Sequence, residues 1–257
     1  MLATTTTSAT LVGVDGHIVS VEVHLSNGLP SFTVVGLPDT ACRESRDRVR
    51  AAVLSSGLDW PQRRLTVNLA PSGLRKVGSV LDLAIAVGVL AVTEQVPSGS
   101  LDGWAFLGEL GLDGCVRPVT GLVPLVHSLR DHDLVIPASG HQVGHKVHRG
   151  GRIEVVRSLL DAVEALSARA PWPDAPSPTA APTPKAGPDL ADVVGHPQGR
   201  LACEVAAAGG HHLLLLGPPG AGKTMLARRI GGLLPDLDAE AALEATLVHS
   251  AAGEELP

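Results

Sequence analysis

The sequence predicts an α/β fold in two domains joined by a spacer, and three observations lead there. β-rich runs alternate with runs of helical period through residues 1–170. Residues 171–188 (PWPDAPSPTAAPTPKAGP) contain seven prolines in eighteen positions. Residues 213–225 (LLLLGPPGAGKTM) join an apolar run, a glycine-rich turn and the start of a helix. Alternating strands and helices call for a sheet covered by helices. Proline at that density sustains neither a helix nor a central strand and favours extended polyproline II, so a boundary belongs there. The expected division is 1–170, a linker at 171–188, and a second domain at 189–257.

Residues 9–14, 18–25 and 31–35 are short β-rich runs parted by the turn dipeptides Asp15-Gly16 and Asn27-Gly28, which predicts a meander of three strands. Asp39 can cap a helix running to Ser56, where Gly57 stops it; Cys42, Ser45, Val49, Ala52 and Val53 share one face at helical spacing. A strand follows at 64–68. The helix LDLAIAVGVLAV is apolar almost all round and is therefore expected inside. WAFLGELGLDGCVRPV reads as a hairpin turning at Asp113-Gly114. A helix at 122–129, a strand at 134–136 and a helix at 158–168 complete the first domain. Past the linker come LADVVGH, a helix over 198–208, a Gly209-Gly210 break, a strand of four leucines and a helix over 224–234.

Composition sets the outer limits. A chain of 257 residues, 44% of them hydrophobic, can bury two ordinary cores. Cys42, Cys115 and Cys203 are odd in number, far apart and without C-x-x-C spacing, which supports neither a disulfide framework nor a zinc site and fits a reducing cytoplasm. The start MLATTTTSATLVGVDGH has no basic stretch followed by an apolar run, and no window approaches the ~18 apolar residues of a membrane span. The chain is read as cytoplasmic, with no membrane partner.

The strongest chemical signal is G-x-x-x-x-G-K-[ST], with Gly217, Gly222, Lys223 and Thr224 at its fixed positions and Pro218, Pro219, Gly220 and Ala221 between them. Glycines let backbone N–H groups turn inward around phosphates, and a helix start directs its positive dipole end at them. Lys223 is expected to reach the β- and γ-phosphates of ATP, and the Thr224 hydroxyl to ligate Mg²⁺. No residue is assigned a catalytic role.

Two other clusters read more blandly. His141, His145 and His148 have the i, i+4, i+7 spacing of a helical metal face, but Gly140, Gly144 and Gly150 predict a loop with incidental histidines, and no metal site is drawn from them. Arg43, Arg46 and Arg50 line one side of the first helix, with Arg63, Arg64, Arg75 and Lys76 in nearby loops, and could meet phosphates. Residues 1–170 nevertheless carry 15 Lys and Arg against 16 Asp and Glu, and 171–257 carry 5 against 10, so the arginines read as a solvated face; aromatics for stacking are scarce.

Four blocks, PSFTVVGLPDTACRESRDRVRAAVLSSG, NLAPSGLRKVGSVLDLAIAVGVL, FLGELGLDGCVRPVTGL and EVAAAGGHHLLLLGPPGAGKTMLARRI, resemble the YifB/ComM family of magnesium-chelatase-like AAA+ ATPases. The resemblance covers nearly everything outside the linker. It implies a Lon-protease-like N-terminal α/β domain followed by the start of a P-loop AAA+ module with a parallel sheet. It also implies, in intact members, a hexameric ATP-driven motor acting on branched DNA in recombination and transformation; DNA as a partner rests on the resemblance alone. In the family the loop that meets adenine falls at DVVGH, so Val193 and Val194 are candidate nucleotide contacts, with His196 where Gln is usual. The Lon serine falls near Ser79, but no lysine stands in 122–129, so Ser79 is read as a helix cap beside Asp82, not as a protease nucleophile.

Only 33 residues follow Thr224, and no apolar strand among them ends in paired acids; Glu254-Glu255 follows Ala-Ala-Gly. The module is read as truncated, without the Mg²⁺-side carboxylate, sensor or arginine finger, a finger alone contributing ~10³ to 10⁵ in rate. The leading reading is an ATP-binding protein that, intact, drives DNA remodelling. A non-hydrolysing nucleotide-binding or assembly module and a magnesium-chelatase motor subunit stand beside it.

Overall fold

The computed structural model describes residues 3–36, 40–76, 78–177 and 187–254, with only the backbone at 41–43. The expected cap Asp39, the side chains of Cys42 and Arg43, linker residues 178–186 and Glu255 lie outside the described residues. Contacts divide the chain into two units, one within 1–179 together with 243–256, the other within 180–242.

The first unit is built on a seven-stranded mixed sheet. Its strands are β1 (Ala3–Val12), β2 (Asp15–Ser26), β3 (Ser31–Val35), β4 (Arg64–Ala70), β5 (Trp104–Phe106), β8 (Asp133–Pro137) and β9 (Ile153–Val156), in the order β3-β4-β2-β1-β5-β8-β9. β6 (Glu109–Leu110) and β7 (Val116–Arg117) form the separate hairpin expected around Asp113-Gly114. β1 and β2 pair antiparallel from Ala3↔His24 to Val12↔Asp15. The turn is therefore Gly13-Val14, and Asp15-Gly16 lies inside β2, contrary to the expected turn. Gly16 has a different use: a Cβ there would come within 2.2 Å of the Pro124 carbonyl oxygen, so its absence lets a helix approach the strand.

The expected three-strand meander is also corrected. β3 pairs in parallel with β4, and β4 lies antiparallel to β2, because the chain leaves β3 through helix α1 (Thr40–Ser55) and returns between the two earlier strands. A parallel neighbour requires such a crossover. β1 begins at Ala3, before the first apolar run; its threonines favour strands as β-branched residues. Inward-facing hydroxyls find main-chain acceptors: Thr6 donates to the Ala84 carbonyl at 3.1 Å and Ser8 to that of Phe106 at 2.7 Å. β9, which the sequence did not predict, is four residues long and pairs in parallel with β8.

Helix α2 (Asp82–Val92) is buried at every residue, as its all-round apolar sequence predicts. It packs against β1, β2 and α1. Its N-cap is Leu81, with no side-chain cap, so the reading of Ser79 as a cap fails: the Ser79 hydroxyl donates instead to Glu109 Oε2, and the Ser79 carbonyl accepts from Asp82 N–H. Helices α3 (Leu122–Ser128) and α5 (Leu159–Leu166) follow prediction; α5 opens on a reciprocal Ser158–Asp161 capping box. α4 (His141–Val147) replaces the expected loop. Its Gly144 is buried where a Cβ would meet Ile136 Cδ1 at 2.9 Å, so glycine here serves helix packing.

In the second unit α6 (Pro197–Gly209) and α7 (Lys223–Ile230) fall near their predicted places, α7 giving way to a 3-10 turn (Gly231–Leu233) before the expected end at 234. The predicted strand of four leucines is not one: residues 213–216 are irregular, Leu214 is 79% and Leu216 83% exposed, while Leu213 and Leu215 pack on a small cluster of Leu190, Val193, Cys203 and Leu226. A strand needs a neighbour for its backbone groups, and among the described residues no strand lies beside this run. An unpredicted helix, α8 (Ala239–Ala251), starts where Asp238 Oδ1 accepts the Ala241 N–H at 2.8 Å. Its later residues count with the first unit, where the Ser250 carbonyl and hydroxyl accept the N–H groups of Gly121 and Val123.

Candidate functional site

The residues of the phosphate motif form one exposed loop leading into α7. Gly217, Gly220 and Gly222 have φ of +156°, +81° and +78°, conformations in which an L side chain is strained. Gly222 is the residue before α7, and Leu226 N–H donates back to its carbonyl at 3.0 Å. The N–H groups of Lys223, Thr224 and Met225 therefore start the helix without an acceptor four residues earlier. Lys223 folds over the loop, its ammonium donating to the carbonyls of Gly217 and Pro218 at 2.8 Å each. Thr224 is exposed at the helix start, and Pro218, Pro219 and Gly220 are exposed around the turn; Ala221 is half-buried.

Such a loop gathers N–H dipoles, a helix N-terminus and one ammonium around one turn, with no carboxylate bonded to Lys223 among the described residues. Its chemistry suits a polyanion: phosphate oxygens would compete for Lys223 with neutral carbonyls, a weaker partner than a charged acceptor. A hard divalent cation bound with the phosphates could take the Thr224 hydroxyl as an oxygen ligand. The donor set thus fits a nucleotide with Mg²⁺.

The second segment singled out in the sequence lies in the same unit. Asp192-Val193-Val194-Gly195-His196 ends in a left-handed His196 (φ +50°), whose ring nitrogen Nε2 stands 3.4 Å from where a Gly222 Cβ would be. Val193 is buried on Leu226 of α7, whereas Val194 is 93% exposed. The two valines thus take different places, one holding the turn against the helix that carries Lys223 and the other open to solvent. Arg229 was not anticipated: it donates to the Asp189 carbonyl at 2.8 Å and to that of Met225 at 2.9 Å, tying α7 to the segment that leads into this turn. Spacing within LARRI carries no signal for a main-chain acceptor forty residues earlier.

Other candidates resolve differently. Ser79 and Lys76 do not form the pair a serine nucleophile needs: Ser79 bonds Glu109, and the buried Lys76 donates to the Pro71 carbonyl. His141 and His145 stack edge-on at 5.6 Å, and among the described residues no group of three or more His, Cys, Asp or Glu could hold a metal ion. No spacing pairs Asp82 with Arg48, 34 residues away, yet the two meet in a bidentate contact of 2.7 and 3.2 Å. Burial raises the Asp82 carboxyl above its ordinary range, with Arg48, Ser45 and the Leu110 amide pulling the other way. This pair locks α1 to α2 and lies far in sequence from the phosphate loop.

Comparison with known proteins gives concordant matches. The family described as subunit ChlI of Mg-chelatase matches residues 21–139, and that described as magnesium chelatase, subunit ChlI, matches residues 189–256. An uncharacterized protein of Mycobacterium tuberculosis H37Rv is 46% identical over 254 residues, 96% of this chain and 49% of the relative. YifB of Escherichia coli K12 is 42% identical over 246 residues, 93% of this chain and 47% of the relative. Competence protein ComM of Haemophilus influenzae is 39% identical over 251 residues, 95% of this chain and 49% of the relative. The chain spans about half the length of the curated relatives it matches. No helix among the described residues is long and apolar enough to cross a membrane.

Proposed function

The chain belongs to the YifB/ComM family of magnesium-chelatase-like proteins, and from that premise we propose that its phosphate loop binds ATP with Mg²⁺ and that the intact protein is an ATP-driven DNA-remodelling motor of the cytoplasm, acting as a ring of identical subunits. The observation that carries the nucleotide half is the left-handed glycine loop closed by Lys223 at the start of α7. The DNA half draws on one relative's name, a competence protein.

In this reading each residue has a separate task. Gly217, Gly220 and Gly222 let the loop backbone face the phosphates, as does the peptide run through Pro218, Pro219 and Ala221. Lys223 leaves the two loop carbonyls and offsets phosphate charge, and the first-turn N–H groups of α7 add their dipole. Thr224 presents its hydroxyl to Mg²⁺. Val193 keeps the 192–196 turn seated beside the loop, and Val194 offers apolar contact to the base. ATP supplies the phosphoanhydride whose cleavage would drive the motor.

Equilibrium binding of ATP with and without Mg²⁺, on the purified chain and on Lys223→Ala, tests this. A charge-assisted contact from Lys223 to the phosphates is worth roughly 1.5–3 kcal/mol, so the variant should bind at least about tenfold more weakly while the first unit unfolds as in the parent. Equal binding by the two proteins would remove Lys223, and with it the phosphate loop, from the account.

A further inference from the structure

A cavity of about 280 Å³ opens on the first unit between the start of β3, the exposed face of α1 and the segment entering β4. Phe32 and Trp60 stand in its wall with ring centroids 5.3 Å apart and planes at 57°. Arg46, Arg50 and Arg63 surround them, against a single carboxylate, Asp47. The whole chain holds only five Phe, Tyr and Trp residues and carries a net charge of −6, so two aromatics and three guanidinium groups at one opening are a local concentration that composition opposes.

These arginines are weakly engaged. Arg46 contacts Asp47 at 3.2 Å with both side chains more than half exposed, a kind of pair that contributes little. Arg63 donates to the neutral Asn27 Oδ1 at 2.7 Å and has no ion-pair partner among the described residues. Arg50 is exposed and has no ion-pair partner among the described residues. β3 is the sheet's edge strand, and among the described residues no further strand covers this side. Half-buried rings beside unspent guanidinium groups suit a ligand with a flat apolar face and flanking anionic groups. A nucleotide unit of a single strand has both, whereas a paired base hides its face in the stack.

We propose that this cavity is a docking site for single-stranded nucleic acid, one base stacking on the Phe32–Trp60 wall while Arg46, Arg50 and Arg63 meet the adjoining phosphates. It rests on the nucleic-acid part of the proposed function and adds where on the chain a strand is held. It is independent of the phosphate loop, because none of its residues belongs to that unit.

The test uses the full chain, without ATP, titrated with a fluorescent oligothymidylate of about twelve nucleotides, with the duplex of the same length, and with a polyglutamate peptide. Single strand should bind at least about tenfold tighter than duplex. Arg50→Glu, an exposed substitution that leaves the core intact, should weaken single-strand binding about tenfold and reduce the slope of log affinity against log salt by about 0.7 or more. Trp60→Leu should also weaken it about tenfold, with the salt slope unchanged. Lys223→Ala should bind the single strand as the parent does, even though it loses nucleotide. Unchanged affinity in Arg50→Glu overturns the proposal, as does loss of strand binding in Lys223→Ala, which would put the strand at the phosphate loop. Polyglutamate competing as well as oligothymidylate, or duplex binding as tightly as single strand, would reduce the site to a charge patch and also overturn it. If the chain fails to bind ATP yet binds single strand through Arg50, the nucleotide reading fails and this one stands.

Discussion

Residues 82–92 and residues 213–216 are both apolar runs next to glycines, and they meet opposite fates. The first becomes a helix buried at every position; the second stays irregular with Leu214 and Leu216 largely in solvent. An apolar sequence states a demand for burial, and only neighbours can meet it. α2 has β1, β2, α1 and α5 around it, whereas the leucine run has one small cluster beneath it and no strand beside it among the described residues. The contrast teaches that the first unit holds the larger core of this chain and the second holds the candidate phosphate loop on a lightly packed support.

The largest expected effect falls on the polar lock of the first unit. Arg48→Ala would leave the wholly buried Asp82 without its guanidinium, a loss of about 3–5 kcal/mol in unfolding free energy by denaturant titration, while Arg48→Met with Asp82→Leu should recover much of it. Leu90→Ala, at a position with no solvent exposure, should cost about 2–5 kcal/mol, whereas Leu214→Ala should change stability by no more than about 0.5 kcal/mol in the same assay. Comparable losses at the two leucines would erase the contrast.

Gly222→Ala sharpens it from the other side. The residue holds φ +78° and its Cβ would sit 3.3–3.4 Å from Met225 and His196, so it should cost roughly 1–2 kcal/mol and weaken ATP binding, leaving the unfolding of the first unit alone. The smallest effect is one of pH. His148 is buried, and burial holds its imidazole below the ordinary value, with the His132 main chain and Asp133 raising it and His145 adding to the depression. A depressed value favours the neutral ring in the folded state, so the stabilisation is full above about pH 6.5 and is lost as pH falls through the folded value. Stability measured between pH 7 and 5 should fall in the parent and fall less in His148→Leu.

What the sequence made legible follows the same division. The α1 stop near Gly57, the all-round burial of α2, the helix opening at Ser158 and the phosphate-loop spacing are readable because each depends on residues within one turn or one heptad of each other. The parallel placement of β3, the short β9 and the Arg48–Asp82 contact are not, since each is decided by a partner 30 or more residues away or by a strand too short to show alternation. At α4 the glycines predict a loop, whereas Gly144 is a packing glycine against Ile136. At the candidate site the loop residues are legible in the sequence, but the support is not: the Arg229 bonds, and the close approach of the His196 ring to where a Gly222 Cβ would stand, depend on main-chain geometry that no spacing encodes.

The measurement that bears most directly on the nucleotide account is amide hydrogen exchange of the whole chain with and without ATP and Mg²⁺, read at the loop and at α2 together. The account predicts slowed exchange over residues 217–226 when nucleotide is added, lost in Lys223→Ala, with residues 82–92 equally protected in both conditions. Exchange over 217–226 that nucleotide leaves untouched would contradict it.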